Sequence, residues 1–587
     1  MCGIAGIIDL AGRRLVPEGC IQRMARALLH RGPDEEGFLV RPGLALASRR
    51  LSIVGLADGQ QPMGNEDRTV FVVFNGELFD YVERREELRE RGHRLVTHCD
   101  TEIIPHLWED HREQMWEKLR GQFAIALWDE RKRQLHLGRD RFGIAPLFWT
   151  RQGDWLLFAS EIKGLLASGM VSAQPDRRGI DHIFTFSAVP GPRTCFEGVQ
   201  LLRPGHFLSI SPESGNGASA MLQERAFWEM NFPDQGAEER GEDPKRLVDG
   251  FEKVLLHAVE ERLRADVPVG AYLSGGVDSS MIVALACHLK GPAINTYTVR
   301  VHEPDLDELD AASLSARHIG AKPPIVQDFR DEDALATYPR LITAAEAPVI
   351  DTACAALLQL SGRVHSCGQK VVLTGEGADE WLVGYPWYKA AKLMGFLDLI
   401  PGLGFSNIAR NAYLSVNKVP HFPMPGGGKS RIRSAVPMPG SMPMDCSRSP
   451  SCAFIVSRCA KLSRRRIRGR NWIFLWNARS GGIRSIAESG SRRAFCWPGI
   501  YSKRKAIVSP CILQSRCDTP FWTRMSSISW PGFIHAGAFA GFGTNTCCVS
   551  WPNDGCQNPW RVGTKLSSAR RLTAFTCNPN RRLSPSF

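Results

Sequence analysis

The chain has 587 residues, enough for three or four domains of ordinary size, and 43% of them are hydrophobic, as in globular proteins. It contains no run of about eighteen apolar residues, so we expect no transmembrane helix and no membrane partner. The formal net charge of +12 would suggest binding to nucleic acid only if it were spread along the whole chain.

The excess of positive charge is confined to the last part of the chain. Residues 421–587 hold 26 Lys and Arg but only four Asp and Glu, which leaves residues 1–420 with a net charge of −10. Ten of the 17 cysteines also lie after residue 420, and the other seven are scattered without a CxxC pair. That usage is typical of a reducing cytosol, and MCGIAGIIDL lacks the basic start of a signal peptide. We therefore expect a cytoplasmic protein without a nucleic-acid partner.

The first predicted strand, in MCGIAGIIDL, starts at the amino terminus. Removal of Met1 would leave Cys2 with a thiol and a free α-amine in one residue. An α-amine has an ordinary pKa near about 8, so much of it can act as a base near neutral pH. Cys2 therefore fits an N-terminal nucleophile. The alternative is an incidental buried cysteine, which position alone would favour.

Six further segments lie between short alternating strands such as TVFVVF and FAIALW. They are HRGPDEEG (30–37), SRRLSI (48–53), FNGELFD (74–80), CDTE (99–102), GRDRFGIAPLF (138–148) and FASEIKGL (158–165). Their order resembles the class II glutamine amidotransferase domain over about residues 1–225. Over residues 1 to about 420, the chain resembles the glutamine-hydrolysing asparagine synthetases. The resemblance implies an α+β N-terminal-nucleophile sandwich (αββα) for the first domain.

The resemblance assigns roles around a bound glutamine, with Cys2 as the nucleophile. Arg50 can fork the α-carboxylate of the substrate, and Asp100 can pair with its α-amine. Attack on the amide creates an oxyanion, which the family stabilises with the side chain of Asn75 and the backbone N–H of Gly76. The implied glutamine-binding set is Arg50, Leu51, Ser52, Ile53, Val54, Asn75, Gly76, Glu77 and Asp100.

Two features of this domain have a structural interpretation. Ser48 stands where the family often has His, and we expect little consequence because Arg50 and the following LSI are intact. The charges of GRDRFGIAPLF are expected to form internal ion pairs that support the site.

The second domain follows a polar stretch, residues 211–245, that predicts an exposed linker. LVDGFEKVLLHAVEERL (247–263) has the periodicity of a helix. VPVGAYLSGGVDSSMIVALACHL (267–289) then predicts a buried strand, a glycine turn and a helix, whose free N–H groups suit an anion. KVVLTGEGADEWLVGY (370–385) repeats that pattern. The alternation predicts a doubly wound α/β sheet with its site at the carboxyl ends of the strands.

SGGxDS at a strand-to-helix junction resembles the pyrophosphate loop of enzymes that adenylate a carboxylate. Asp278 has the chemistry to bind Mg²⁺, and by resemblance Asp379 supports the metal or pyrophosphate. Glu376 matches the acid associated with adenylate formation and with deprotonation of ammonia, and is taken as catalytic. The implied ATP-binding set is Leu273, Ser274, Gly275, Gly276, Asp278, Ser279, Val299, Thr374 and Gly375. DLDE (305–308) and EAPVID (346–351) resemble less specific family segments, the second of them near the acceptor.

The resemblance implies a two-site enzyme with a glutaminase domain (1–225) and a truncated ATP-pyrophosphatase domain (226–423). Its substrates would be glutamine, ATP with Mg²⁺, and aspartate, which becomes asparagine through an aspartyl-adenylate. Three alternatives stay open: an amidotransferase for another carboxylate, a glutaminase with an inactive synthetase half, and a nucleic-acid-binding protein that uses its basic tail. The oligomeric state also stays open, with a homodimer as one option.

Residues from about 424 onward have the composition of an out-of-frame translation. Acidic residues nearly vanish, Arg outnumbers Lys by 21 to 5 in 421–587, and no periodic pattern continues. The family should continue with mainly helical sequence that includes a DR pair and an E-x-R-x-P-F-L-D-like segment, and neither occurs here. We expect residues 424–587 to be irregular and the synthetase half to be inactive as written.

Overall fold

The computed structural model describes residues 1–392 except residues 13, 214–218, 235, 240, 305, 352, 387, 390 and 391. Beyond residue 392, it describes only the backbones of 476–477, 482–483 and 516–518. The chain divides into two compact units, Met1–Gly541 and Phe542–Phe587, and every described residue belongs to the first. Most of the predicted out-of-frame tail therefore lies outside the described residues.

Short, alternating sequences up to residue 226 form two six-stranded antiparallel sheets. The strands are β1 (Gly3–Asp9), β2 (Glu35–Arg41), β3 (Leu44–Arg50), β4 (Met63–Gly64), β5 (Val70–Leu78), β6 (Gly121–Asp129), β7 (Gln134–Arg139), β8 (Phe148–Gln152), β9 (Trp155–Ala159), β10 (Val199–Leu201), β11 (His206–Ser211) and β12 (Met221–Ala226). The first sheet has the order β10-β8-β9-β1-β3-β2, and the second has the order β12-β11-β7-β6-β5-β4.

Helices cover the outer faces of the two sheets. They are α1 (Cys20–Ala27), α2 (Tyr81–Glu90), α3 (Ile103–His111), α4 (Met115–Lys118), α5 (Ile162–Leu166) and α6 (Arg177–Phe186). Ile4 and Ile8 of β1 face Val73 of β5 in the core between the sheets. Because side chains alternate along a strand, Ala5 of β1 instead packs with α1 and Phe74 of β5 with α3. The predicted αββα sandwich is confirmed.

The second domain is built on parallel strands with helices between them. Its elements are α7 (Pro244–Arg262), β13 (Val269–Tyr272), α8 (Val277–Lys290), β14 (Thr296–Val301), α9 (Leu309–Ile319), β15 (Ile325–Phe329), α10 (Asp331–Ala345), α11 (Ala353–Ser366), β16 (Val371–Leu373) and α12 (Ala378–Trp381), followed by β17 (Trp476–Asn477), β18 (Gly482–Ile483) and β19 (Arg516–Asp518). The parallel sheet has the order β15-β14-β13-β16-β19.

Helices cover both faces of this sheet. Ile282 of α8 and Ala312 of α9 share one core with Ala271 of β13, while Leu360 of α11 packs with Tyr297 of β14 in another. The chain runs outward from β13 to β15 and returns beside β13 as β16, so the winding direction changes at that point. Ligands of doubly wound sheets bind where such a change opens a crevice at the carboxyl ends. The predicted doubly wound fold is confirmed.

The structure differs from the sequence-based expectations in three places. Strand β12 lies within the predicted linker and adds a strand to the second sheet, pairing with β11. Helix α8 starts at Val277, so half of the predicted SGGVDSS turn is helical. In the tail, β17 pairs with β18 and β19 extends the parallel sheet beside β16. Within the part that the structure describes, no helix has the length and apolar character to cross a bilayer.

Candidate active sites

Cys2 lies directly before β1, where its thiol meets the segment that follows β3. It is 6% exposed, and its Sγ lies 3.4 Å from the backbone nitrogen of Leu51. Buried Arg31 donates from Nε to the carbonyl oxygen of Cys2 at 2.8 Å and from Nη1 to Glu161 at 2.8 Å. The residue that carries the thiol is therefore anchored through both its backbone and its side chain.

Glu161 is the centre of the ionic network behind Cys2. Its carboxylate accepts hydrogen bonds from Arg31, from His30 at 2.8 Å and from Lys163 at 2.6 Å. Burial opposes ionisation of this carboxyl, but the His30 hydrogen bond and the Arg31 and Lys163 charges outweigh it and lower its pKa to about 2. Sequence reasoning assigned no role to Arg31 or Glu161. The sequence did offer a sign of their importance, because both lie in segments that carry the family resemblance, HRGPDEEG and FASEIKGL.

Arg50 is buried and already has partners within the chain. Its Nη1 donates to the two carboxylate oxygens of Glu35 at 3.0 and 3.1 Å. Its Nη2 donates to the carbonyl oxygens of Val54 and Gly55 at 3.0 and 2.6 Å. The guanidinium of Arg50 was predicted to bind the α-carboxylate of glutamine. If that carboxylate binds at Nη1, it must displace the carboxylate of Glu35.

Gly59 lets Arg50 and the Asp100 segment come together. A Cβ at Gly59 would lie 2.1 Å from Nη2 of Arg50 and 2.9 Å from Sγ of Cys99. Asp100, the next residue, is 4% exposed and accepts a hydrogen bond from the backbone N–H of Leu78 at 3.0 Å. Arg50 and Cys99, the residue before Asp100, therefore both pack against one glycine.

Asn75 is fully buried on β5. Neither its side-chain nitrogen nor its oxygen has a hydrogen-bond partner among the described residues. Such a group costs about 1–3 kcal/mol, so its retention suggests a functional reason. Gly76 lies opposite Phe123 on the neighbouring strand. A Cβ added at Gly76 would lie 2.1 Å from the carbonyl oxygen of Gln122, so the packing of the strands also requires glycine there.

Ser48 supports the strand that carries Asn75. Its hydroxyl donates to Oε1 of Gln61 at 3.2 Å, and the same oxygen accepts the backbone N–H of Phe74 at 2.7 Å. The residue that stands in place of the family's His therefore connects the two sheets. Ser52 of the predicted glutamine-binding set donates its backbone N–H to Asp34 at 2.8 Å.

The charged GRDRFG segment is structural, but its main partners are backbone groups. Arg139 donates to the carbonyl oxygens of Ala145 and Leu202, both at 2.8 Å. Asp140 is buried and accepts the backbone N–H groups of Ile144 and Ala145 at 3.0 Å. The segment thus depends less on ion pairs than its sequence suggested.

The turn after β13 is held by its own serines. Ser274 Oγ lies 3.0 Å from Ser279 Oγ, and the backbone N–H of Gly276 donates to Ser274 Oγ at 3.3 Å. Gly275 has φ +78°, and a Cβ there would lie 2.5 Å from the carbonyl carbon of Ala311. This turn therefore requires glycine both for its conformation and for its packing.

The turn after β16 contacts the first turn directly. A Cβ at Gly375 would lie 2.8 Å from the backbone nitrogen of Ser279 and 3.0 Å from Cβ of Asp278. Thr374 is buried, and its Oγ1 accepts the backbone N–H of Glu376 at 3.4 Å. The two predicted ATP-binding turns meet at the carboxyl ends of β13 and β16, where the winding direction changes.

The remaining predicted residues are distributed around these two turns. Leu273 is buried directly after β13, and half-buried Val299 lies on the adjacent strand β14. Glu376 is exposed and Asp379 half-buried at the start of α12.

The predicted acceptor segment contacts the first domain through its first residue. Glu346 of EAPVID accepts the backbone N–H groups of Ile162 and Lys163 at 2.7 and 2.6 Å. DLDE begins at residue 305, which lies outside the described residues.

The segment after Arg50 also packs against the strand that leads to Glu376. Ile53 and Val54 form one apolar cluster with Val371 of β16. Lys370 donates from Nζ to Oδ2 of Asp34 at 2.6 Å and to the carbonyl oxygen of Ser52 at 3.2 Å. The two candidate sites are thus connected through a shared, well-bonded interface.

Comparison with known families agrees with this organisation. Residues 1–221 match the family model described as glutamine amidotransferase domain, and residues 250–426 match the model described as asparagine synthase. The chain therefore carries a glutamine amidotransferase domain followed by an asparagine synthase domain. Its resemblance to the glutamine-hydrolysing asparagine synthetases is confirmed.

Several curated proteins are similar to this asparagine synthetase-like chain. Asparagine synthetase [glutamine-hydrolyzing] 1 of Bacillus subtilis is 31% identical over 403 residues, covering 68% of this chain and 61% of that protein. Amidase chry2 of Gibberella zeae and amidase chyE of Penicillium rubens are each 34% identical. These matches cover 67% and 66% of this chain and 60% of each amidase. The chain thus spans about 60% of the length of these relatives.

Proposed function

We propose that this protein is a glutamine-dependent amidotransferase that makes asparagine from aspartate at the expense of ATP. The proposal rests on the packing between segments that flank the two candidate sites. The segment that follows Arg50 and the strand that leads to Glu376 share the cluster of Ile53, Val54 and Val371. An enzyme that passes ammonia from one site to another needs the two sites held together in this way.

In the first half-reaction, Cys2 is the nucleophile. The α-amine takes the thiol proton, and the sulfur attacks the side-chain amide carbon of glutamine. The C–N bond then breaks, ammonia leaves, and water later hydrolyses the γ-glutamyl thioester to glutamate. The buried amide of Asn75 donates to the oxyanion, a contact worth several kcal/mol in a site that excludes water. Arg50 and Asp100 hold the charged ends of the substrate.

In the second half-reaction, a carboxylate oxygen of aspartate attacks the α-phosphorus of ATP, and pyrophosphate leaves. The turn from Leu273 to Ser279 and the turn from Thr374 to Asp379 cradle the phosphates. Asp278 and Asp379 offer the oxygen ligands that Mg²⁺ prefers, and the ion would neutralise phosphate charge. Glu376 takes a proton from ammonia as its nitrogen attacks the acyl carbon and AMP leaves.

A second acceptor class has its own support. Two of the similar proteins are named amidases, and each is more similar in sequence to this chain (34% identity) than the Bacillus synthetase is (31%). An acceptor carboxylate other than aspartate is therefore the main rival.

The decisive experiment measures both half-reactions in the full chain and in a chain whose reading frame has been restored after residue 420. Glutamate release from glutamine alone tests the first site, and ATP–pyrophosphate exchange with a panel of carboxylic acids tests the second. We expect glutaminase activity in both chains, and exchange that requires aspartate in the restored chain. Exchange that depends on a different acid would replace aspartate, and the absence of exchange with every acid would leave a glutaminase.

The identity of the nucleophile is tested separately. A glutamine-like electrophile should label one cysteine, and Cys2→Ala should abolish both labelling and glutamate release while Cys20→Ala, a buried cysteine on α1, retains them. A label found on another cysteine by peptide mass spectrometry would overturn the assignment.

A further inference from the structure

Four side chains from three separate segments converge in the glutaminase domain, on the outer side of the second sheet. Glu66 lies in the turn between β4 and β5, and His93 lies in the connection that follows α2. His106 and Glu109 lie three residues apart on α3, so they share one side of the helix. One potential ligand atom from each residue lies within 4.8 Å of the others. None of the four belongs to either candidate active site.

The ligand atoms that face the centre of the cluster are here called the inner atoms. Three distances between them resemble the edges of a metal coordination polyhedron. His106 Nδ1 lies 3.3 Å from Oε2 of Glu109 and 3.5 Å from Oε2 of Glu66, and His93 Nδ1 lies 3.8 Å from the same Glu109 oxygen. Tetrahedral Zn²⁺ with bonds of about 2.0–2.1 Å places its ligand atoms about 3.3–3.4 Å apart. The pairs at 3.3 and 3.5 Å are close to the separations that one central ion would impose, whereas the pair at 3.8 Å and the overall spread of up to 4.8 Å would have to contract around it.

The inner atoms are also unusual because they lack ordinary partners. His106 is 1% exposed, and neither its Nδ1 nor Oε2 of Glu109 has a hydrogen-bond partner among the described residues. Two buried polar atoms that face each other unsatisfied cost about 1–3 kcal/mol each. A cation bound between them would remove that cost.

The outer atoms of the same side chains, by contrast, are held by neighbouring groups. His93 Nε2 lies 3.0 Å from Oδ1 of Asp110, a pairing that keeps the proton on Nε2 and leaves Nδ1 as an acceptor. Asn65 donates to Oε1 of Glu109 at 2.8 Å. The backbone N–H of Arg94 donates to Oε1 of Glu66 at 2.9 Å. Metal-binding histidines and carboxylates are oriented by outer hydrogen bonds of this kind.

We propose that Glu66, His93, His106 and Glu109 bind one divalent transition-metal ion, of which Zn²⁺ fits best. Two imidazole nitrogens and two carboxylate oxygens suit Zn²⁺, whereas Ca²⁺ and Mg²⁺ select oxygen ligands alone. Four protein ligands complete a tetrahedron, so the ion is structural. It connects α3, the β4–β5 turn and the segment that leads from His93 to Asp100 of the glutamine site. The rival explanation is a protonated His106 that pairs with both glutamates without a metal.

The test titrates Co²⁺, a spectroscopic substitute for Zn²⁺, into the full-length chain after treatment with a chelator. We expect one equivalent to give the intense visible bands of tetrahedral Co²⁺ without thiolate charge-transfer bands. The latter would instead mark binding by the cysteines of the tail. His106→Gln should lose this equivalent. His98→Gln should keep it, because His98 is 87% exposed and pairs with Asp58 outside the cluster.

A second variant is needed because His106→Gln could lose the metal ion simply by failing to fold. Asp110→Asn leaves all four ligands in place and weakens the orientation of His93 together with an exposed ion pair to Arg91, so Co²⁺ affinity should fall about 10–100-fold. Equal Co²⁺ spectra in the parent and His106→Gln would overturn the proposal. So would a parent chain that gives no tetrahedral spectrum at all, which would leave the protonated histidine as the explanation.

Discussion

At the scale of single residues, the proposed glutaminase site contains buried polar groups of two kinds, those proposed to act in the chemistry and those that support the site. Asn75 belongs to the first kind, since its side-chain amide has no partner within the described part of the chain. Glu161 belongs to the second, because its carboxylate accepts hydrogen bonds from Arg31, Lys163 and His30. Mutation should separate the two kinds by opposite effects on activity and stability.

Asn75→Ala should lower kcat for glutamine hydrolysis by about 10²–10³-fold, the usual cost of one oxyanion donor, with a small change in KM. The free energy of unfolding should hardly fall, because no hydrogen bond within the chain is lost. Steady-state kinetics and urea denaturation of the same preparation measure both quantities. A large loss of stability with unchanged kcat would make Asn75 a structural residue instead.

Glu161→Gln should destabilise the protein at pH 7 by roughly 3 kcal/mol, from a pKa lowered from 4.5 to about 2 at about 1.36 kcal/mol per unit. A lowered folded-state pKa contributes stability that is fully present above about pH 4.5 and is lost as the pH falls toward 2. The difference between the parent and the variant should therefore shrink across that range.

Urea denaturation at pH 7, 4.5 and 3, followed by tryptophan fluorescence, measures the effect of Glu161→Gln. Glu36→Gln is the control, since it removes only an exposed ion pair with Arg49 and should cost less than about 1 kcal/mol. A difference between parent and Glu161→Gln that is the same at every pH would contradict the assigned ionisation.

At the scale of elements, the proposed ATP site consists of two turns that come from distant parts of the sequence. Strands β13 and β16 are neighbours in the parallel sheet, although α8, β14, α9, β15, α10 and α11 separate them along the chain. The turns that follow these strands touch at Gly375 and Ser279. Their contact should therefore be sensitive to a single methyl group.

Gly375→Ala should abolish ATP–pyrophosphate exchange in the frame-restored chain and leave glutamine hydrolysis unchanged. The new Cβ would lie within 3.0 Å of the Asp278–Ser279 backbone, so one turn must move away from the other. Gly362→Ala on α11 is a matched control, because its Cβ would meet no atom within 4 Å and alanine favours a helix. Loss of both activities in Gly375→Ala would show a folding defect rather than a separated ATP site.

At the scale of the whole molecule, the acidic first 420 residues and the basic remainder differ in composition as two unrelated sequences would. The match to the asparagine synthase model ends at residue 426, near the change in composition. The described backbone of the tail includes β19, which pairs with β16, so this segment contributes hydrogen bonds to the parallel sheet. Strand β19 thus departs from the irregular tail that the composition predicts.

We expect the coding sequence, read in another frame beyond codon 420, to give an acid-containing helical continuation with the missing DR and E-x-R-x-P-F-L-D-like segments. The chain as written should hydrolyse glutamine but lack aspartate-dependent pyrophosphate exchange, because part of the synthetase core is replaced. Nucleotide sequencing and the two assays check this. Synthesis of asparagine by the present polypeptide, or the absence of such a continuation in both other frames, would refute the frameshift.

Local patterns predicted the doubly wound fold of the second domain, and the family resemblance carried by short motifs predicted the αββα fold of the first. An N-terminal cysteine, alternating strands and glycine turns between a strand and a helix are written in consecutive residues, and their physical causes act over a few residues. Alternation along β1 decides which of its buried residues face the second sheet and which face α1, and the conformation of Gly275 follows from its turn. These parts of the structure needed no long-range information.

Only the tertiary structure decided which distant side chains meet. Arg31 and Glu161 are 130 residues apart, yet they share a buried ion pair behind Cys2. Glu66 and His106 meet because β5 and α3 pack together, and Lys370 reaches Asp34 because β16 lies against the glutaminase domain. Sequence spacing carries no record of such contacts, since they depend on how whole sheets and helices pack. The proposed chemistry was thus predicted from the sequence, whereas the contacts that support the candidate sites and the proposed metal site arise from packing.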